Sequence, residues 1–294
     1  LFYNGPIVEN LDDLPYYDFS DFNLNSYKFP EKLEIFISKG CPWRCSFCVD
    51  WLTEKRYRSM SGERIYQEVL FQHRKHKTKH FRFCDKTING NIKAISDFSD
   101  LVIGEHSPPS FSIQWSGDAM IRPEMTKELL SKMRQAGCVG LGYGLESGSE
   151  KVVRDMGKQF STQLAEEVIK NTHAADIFTS INIMIGFPTE TETDFLETLN
   201  FIERNKQFIR EIRLTYIGCR VLKNSLLYDF SSRFNLAKTD TDFWMTKDKG
   251  NTYEERVRRY EIACQHILNL GIDLRVNSRS AKKNVKATQE RILK

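Results

Sequence analysis

Three cysteines stand close together in the run Ser38-Lys39-Gly40-Cys41-Pro42-Trp43-Arg44-Cys45-Ser46-Phe47-Cys48. Thiolates bind soft metals, and three in one loop can converge on a single centre. A structural zinc site normally takes four protein ligands, usually as two separated pairs. A four-iron cluster usually takes four cysteines. A loop that supplies three therefore leaves one metal position open for water or a substrate. Gly40 and Pro42 suit a chain that must wrap tightly. Two other readings compete: buried cysteines that only fill space, and a zinc site completed by Cys84. The remaining cysteines, Cys84, Cys138, Cys219 and Cys264, are scattered. An odd total of seven with one tight cluster does not resemble a disulfide framework. It fits an intracellular, cytoplasmic protein with a metal site.

Further along, several polar residues fall where strands are expected to end. Asp85 shares a strand face with Phe81 and Phe83, so it is expected at the inner, upper end of that strand; a helix N-cap is the alternative. Asn89 and Asn91 follow it. Arg122 could bind a carboxylate with its planar fork, or simply precede a helix at the surface. Asp118 is a weaker candidate of the same kind. Glu146 ends an apolar, Gly-rich strand, an uncommon place for a carboxylate. Ser147 follows it, and Ser147-x-x-Glu150 can equally be a capping box. Gly186 and Pro188 allow a close backbone approach or a plain turn. His73, His76 and His80 lie among lysines and arginines and read as a solvated basic face.

The elements that must position these residues alternate along the chain. Strands are expected at Leu33–Ser38, His80–Cys84, Ser110–Trp115, Val139–Leu145, Phe178–Ile185 and Ile212–Ile217. Helical patterns are expected at Ser61–His73, around Met125–Met133, at Ser149–Met156, Thr162–Ala175 and Tyr253–Leu270, and on a face marked by Phe195, Leu199 and Ile202. Thr189 and Glu192 suggest a capping box for that last helix. Six strand–helix units in a row imply a parallel sheet, because parallel strands need crossovers. Right-handed crossovers curl such a sheet into a partial (β/α)6 parallel barrel. Chemistry in these folds sits at the carboxyl ends of the strands, and the cysteine loop follows the first strand. Residues 1–30 read as a linker, 31–220 as the α/β core, and 221–294 as a helical C-terminal extension with a basic tail.

The net charge of +4 is unevenly placed: residues 274–294 hold seven Lys or Arg and one Glu. A charge excess of this kind more often marks a solvated helix or a frayed end than a nucleic-acid surface. The charge-free stretch Ile177–Thr189 is too short to span a bilayer, so no membrane partner is expected.

C-x-x-x-C-x-x-C with Phe47 before the last cysteine resembles the signature of the radical S-adenosylmethionine superfamily. Leu11-Asp12-Asp13-Leu14-Pro15 with Asp18-Phe19 is similar to the linker after the cobalamin-binding domain in the cobalamin-type subgroup. Gly144-Leu145-Glu146-Ser147-Gly148-Ser149, followed by Met156, resembles that subgroup's fourth-strand motif. Ile183-Met184-Ile185-Gly186-Phe187-Pro188-Thr189-Glu190-Thr191 resembles its fifth-strand motif. The resemblance implies a [4Fe–4S] cluster on Cys41, Cys45 and Cys48. It implies S-adenosylmethionine on the fourth iron, and reductive cleavage to methionine and a 5′-deoxyadenosyl radical. Phe47 would lie beside the adenine or form a plug behind the cluster. Asp85 would take the place of a Gly-Gly-Glu type motif that receives the ammonium group. Glu146 and Ser147 would contact the ribose or amino-acid part, and Gly186 the adenine.

No D-x-H-x-x-G cobalamin motif occurs in the chain, so cobalamin would be held by a domain outside it. Leu222–Tyr228 keeps the subgroup's Leu-Tyr pair without the Pro-Gly before it. The reaction implied is methyl transfer or another radical step on a small molecule or peptide, with a donor such as flavodoxin or ferredoxin. The alternatives are a cobalamin-independent radical enzyme and a non-catalytic zinc or iron–sulfur module.

Overall fold

The computed structural model describes residues 7–104, 111–215, 218–238 and 242–276. Seven strands form one sheet: β1 (Lys32–Ile35), β2 (His80–Phe83), β3 (Gln114–Ala119), β4 (Cys138–Glu146), β5 (Phe178–Ile183), β6 (Glu211–Leu214) and β7 (Asp273–Val276). Their spatial order is their chain order. Every ladder is parallel. The crossovers carry α1 (Gly62–His76), α2 (Ile92–Ile103), α3 (Lys127–Gln135), α4 (Glu150–Asp155), α5 (Thr162–Ala174), α6 (Glu192–Asn205), α7 (Leu226–Asp229) and α8 (Tyr253–Asn269). The six expected strands are all present, and a seventh comes from the C-terminal extension. Ser110, Tyr216, Ile217 and the tail from Asn277 onward lie outside the described residues. Strand β3 begins at Gln114, later than expected, and α2 was not foreseen.

Alternation along the strands divides the sheet into two faces. Ile35, Phe81, Phe83, Trp115, Tyr143 and Ile212 are buried in the main core. Glu34, Arg82, Ser116, Asp118, Ser180 and Arg213 line a cavity of about 760 Å³ on the other face. The barrel interior is therefore polar, and the apolar face meets the helices. Asp85 does not line this cavity: it lies just past the end of β2, where it is buried and bonded to the start of the cysteine loop.

Helix starts follow side-chain chemistry. Ser61, Asn91, Thr126, Ser161 and Thr252 each accept a backbone N–H of the first turn. The capping box of α6 is formed by Thr191 and Asp194, two residues later than the Thr189–Glu192 pair suggested. A second, smaller core gathers Val152 and Met156 of the α4 region with Met184 and Phe187 after β5. Leu227, Phe234, Leu236 and Trp244 of the C-terminal extension complete it. Phe47 packs against this cluster, so the extension closes over the cysteine loop.

Candidate functional site

The cysteine loop leaves β1 and runs along a short antiparallel ribbon, Ser38–Lys39 with Arg58–Ser59. Asp85 holds the start of that loop. Its carboxylate accepts the backbone N–H of Ile37 at 3.1 Å, and the N–H and hydroxyl of Ser38 at 2.5 and 2.6 Å. Burial pushes this carboxyl up to about 6, against the pull of those donors. Ser46, between the second and third cysteines, pins the far side of the loop. Its N–H donates to Met156 O at 2.8 Å, and its carbonyl accepts from Leu227 N–H at 2.9 Å. The loop is thus tied to β2, to the end of α4 and to the start of α7.

Cys41 and Cys48 are part-buried and Cys45 is buried. Burial raises all three thiols, and they sense one another: Cys48 acts on Cys41, Cys41 on Cys45, and Cys45 on Cys48. Among the described residues no three His, Cys, Asp or Glu side chains already stand in metal-binding geometry. The donor set nevertheless fits an iron–sulfur cluster. Three thiols share one loop, each feels the charge of another, and the Asp50 N–H is directed at the Cys48 sulfur at 3.5 Å. Cys84 does not join them. It lines the strand cavity, and its thiol is raised to about 11 by burial and by Glu34. A fourth zinc ligand from Cys84 is therefore not supported by this arrangement.

Lys158 is the residue that sequence reasoning missed. It follows Gly157, which ends the α4 segment, and its side chain is 7% exposed. Its ammonium donates to Gly144 O at 2.9 Å, lies 3.4 Å from Glu146 Oε1, and sits 5.7 Å from the Phe47 ring centroid. The same charge opposes, without reversing, the upward push of burial on the thiols of Cys41 and Cys45. Glu146 has a φ of +71°, unusual outside glycine, at a register shift in the β4–β5 ladder. That bulge re-aims the side chain, and Glu146 and Phe47 line the same cavity. The signal in the sequence was a glycine–lysine pair just past the fourth-strand motif.

The other candidates are placed differently. Ser147 is fully buried, bonded at 3.0 Å to the Thr198 hydroxyl, and away from the cavity. It is not a cap either, because Ser149 occupies the N-cap of α4. Arg122 spends its guanidinium on the carbonyls of Asn89 and Gly90 at 3.0 Å and on Glu124. It braces the loop after β2 and does not present a free fork. Gly186 has a φ of +80°, and a Cβ there would stand 2.5 Å from Arg256 Cγ. The close approach it permits is to α8. Pro188 is buried in the same turn. Asp118, ranked low in the sequence, is central to the cavity wall, pairing with Arg82 at 2.6 Å and Arg213 at 2.8 Å. His73 bonds the Thr78 carbonyl at 2.7 Å.

A parallel partial barrel with a three-cysteine loop at the carboxyl end of its first strand defines a class, and the family comparison agrees. Residues 35–202 match the model of the Radical SAM superfamily, and the chain belongs to that family of enzymes. It is 26% identical over 203 residues to the uncharacterized methyltransferase PH0819 of Pyrococcus horikoshii, covering 68% of this chain and 43% of that protein. It is 28% identical over 200 residues to the bacteriochlorophyllide d C-12(1)-methyltransferase of Chlorobaculum tepidum, covering 64% and 41%. The chain thus spans less than half the length of these relatives. Among solved structures, the radical S-adenosylmethionine methyltransferase TsrM of Kitasatospora setae superposes with a TM-score of 0.63 at 14% identity. That match covers 84% of this chain and 54% of that one; at this identity it shows the fold. Among the described residues no helix is long and apolar enough to cross a membrane.

Proposed function

We propose that this chain is the catalytic core of a radical enzyme that reductively cleaves S-adenosylmethionine at a [4Fe–4S] cluster held by Cys41, Cys45 and Cys48. The observation that carries this reading is the meeting of Phe47 and Glu146 in the cavity wall beside the cysteine loop, with the buried Lys158 ammonium against both. A cluster held by Cys41, Cys45 and Cys48 would supply one electron and an open iron for breaking the sulfonium bond of S-adenosylmethionine.

The chain's own residues bind and orient. Phe47 offers an aromatic face at the cavity wall. Glu146 accepts hydroxyl or ammonium donors, and Lys158 holds it while offsetting the charge of ionised thiols. Asp85, Arg122, Ser147, Gly186 and Pro188 position the rim on which these groups stand. Residues 31–220 form the radical core in this reading. The extension from residue 221 shields the loop and supplies the last strand. The partners are an external reductant and a small-molecule or peptide substrate. Group transfer is the reaction favoured by the likeness to the two methyltransferases of Pyrococcus horikoshii and Chlorobaculum tepidum, and cobalamin, suggested by the linker-like run Leu11–Pro15, would be held outside this chain.

Anaerobic reconstitution with iron and sulfide tests this. Absorbance near ~400 nm, as expected of thiolate-bound iron–sulfur sites, should appear. With S-adenosylmethionine and a reductant, 5′-deoxyadenosine should form. Cys45→Ala should lose both. Retention of both by Cys45→Ala overturns the assignment.

A further inference from the structure

The cavity continues well below the cysteine end, down to the two edge strands of the open barrel. Its volume of about 760 Å³ lies in the range that holds a drug-sized ligand with space to spare. The lower wall is built unlike the upper. Strand β4 contributes no side chain at Gly140 and Gly142, where the wall is bare backbone. A Cβ at Gly142 would collide with Asp118 Oδ1 and lie 2.8 Å from Arg213 Nη1. The glycine thus lets an ion pair cross the face of its strand.

Four cationic side chains line this region: Lys32, Arg82, Arg213 and Arg275. The acids facing them are Glu34, Asp118 and Glu211, and their commitments are specific. Asp118 bridges Arg82 and Arg213, and Glu211 takes Arg213 Nε at 2.8 Å. Glu34 stands on the opposite edge strand, beside Cys84. Arg275 is in register with Arg213 on the adjacent strand. Like charges at neighbouring positions on one face repel unless acids join them, and here Asp118 and Glu211 already join Arg213. Arg213 is compensated. Arg275 is exposed and Lys32 half-buried on their strands, and neither is paired with an acid among the described residues. Phe178 lines the same region and is 45% exposed, a large apolar side chain left facing the opening.

We propose that this lower chamber binds the substrate, and that the substrate is a small molecule carrying a carboxylate on an apolar body. Arg275, with Arg213 beside it, receives the carboxylate, and Phe178 packs against the apolar part. A planar carboxylate matches the guanidinium fork of Arg275, while Arg213, with Nε on Glu211 and Nη1 on Asp118, has only Nη2 to add. The substrate class rests on the proposed function. The binding itself needs no turnover, so the two can fail separately.

The test uses 1-naphthoate, its neutral counterpart 1-naphthalenemethanol, and 1-naphthyl phosphate. Binding to the full chain is followed by probe fluorescence. 1-Naphthoate should bind about tenfold tighter than the alcohol, the preference expected of one charge-assisted pair. Arg275→Ala should remove most of that preference while leaving the alcohol's affinity unchanged. Arg275 is an exposed residue of its strand, so loss of folding is not expected to mask the result; circular dichroism of the variant checks this. Equal binding of naphthoate and alcohol, or an unchanged preference in Arg275→Ala, overturns the proposal. Tighter binding of naphthyl phosphate than of naphthoate overturns the carboxylate assignment. Absence of 5′-deoxyadenosine from the reconstituted wild type would instead count against the cofactor chemistry, while the naphthoate preference would still report on the chamber.

Discussion

Asp85 shows how a single residue can serve a site without touching what the site binds. Its carboxylate is 5% exposed and holds three donors from Ile37 and Ser38, three residues ahead of the first cysteine. Its carboxyl is ordinary at 3.8 and stands at about 6 in the fold, because burial disfavours the ion. Between those values the folded state holds more proton than the unfolded state. Stability therefore falls as pH rises through that window, by at most about 1.4 kcal/mol per pH unit. Asp85→Asn removes the titration and keeps an acceptor. Denaturant unfolding of both proteins from pH 4 to 7 should show the wild type losing ground to the variant as pH rises toward 6. A difference that stays constant across this range would refute the assignment.

At the scale of elements, α8 is locked to the turn after β5 by two buried arginines. Arg256 fills the space that Gly186 leaves, and its guanidinium carbon lies 3.7 Å from the Trp244 ring centroid. Arg259 reaches Glu190 at 3.2 Å, and Glu190 in turn accepts the Gly186 N–H at 3.0 Å. Burial pushes the Glu190 carboxyl up, to about 7, with Arg259 pulling it back. Removing one partner leaves a buried charge without compensation. Arg259→Met should cost about 3–5 kcal/mol of stability. Adding Glu190→Gln should recover part of the loss, since the uncompensated charge then disappears while the bonds of Arg259 to Glu192 and Glu255 stay lost. Chemical denaturation of the two variants measures this, and failure of the double variant to recover would place the cost in packing instead.

For the molecule as a whole, the extension completes the barrel. Strand β7 pairs with β6 in parallel and lends Arg275 to the cavity wall. Ile272 and Val276 are 6% and 5% exposed. A chain ended at Leu270 loses both from the core, about 1.5–3 kcal/mol each by area burial, and bares the β6 edge. It should melt well below a chain ended at Val276 and aggregate more readily. Equal melting temperatures would mean that the sheet does not need its seventh strand.

The sequence by itself determined the alternating architecture and the chemistry-bearing loop. Those are written locally, in the period of apolar residues and in the spacing of Cys41, Cys45 and Cys48. It also marked Glu146, a lone carboxylate ending a Gly-rich strand. The tertiary structure decided which face of each strand looks inward. Phe81 and Phe83 share a phase, but only the packing of α1 and α2 tells that this phase is the core. Long-range pairing decided the rest. Asp118 matters because Arg213 lies across two strands from it, and Gly186 because Arg256 returns from the far end of the chain. Lys158 reaches Glu146 and Phe47 only after β4 and the loop beyond α4 fold against each other. Contacts between residues tens of positions apart leave no periodic trace, so three ligands could be found in one loop, while the walls of the chamber beneath them required the fold.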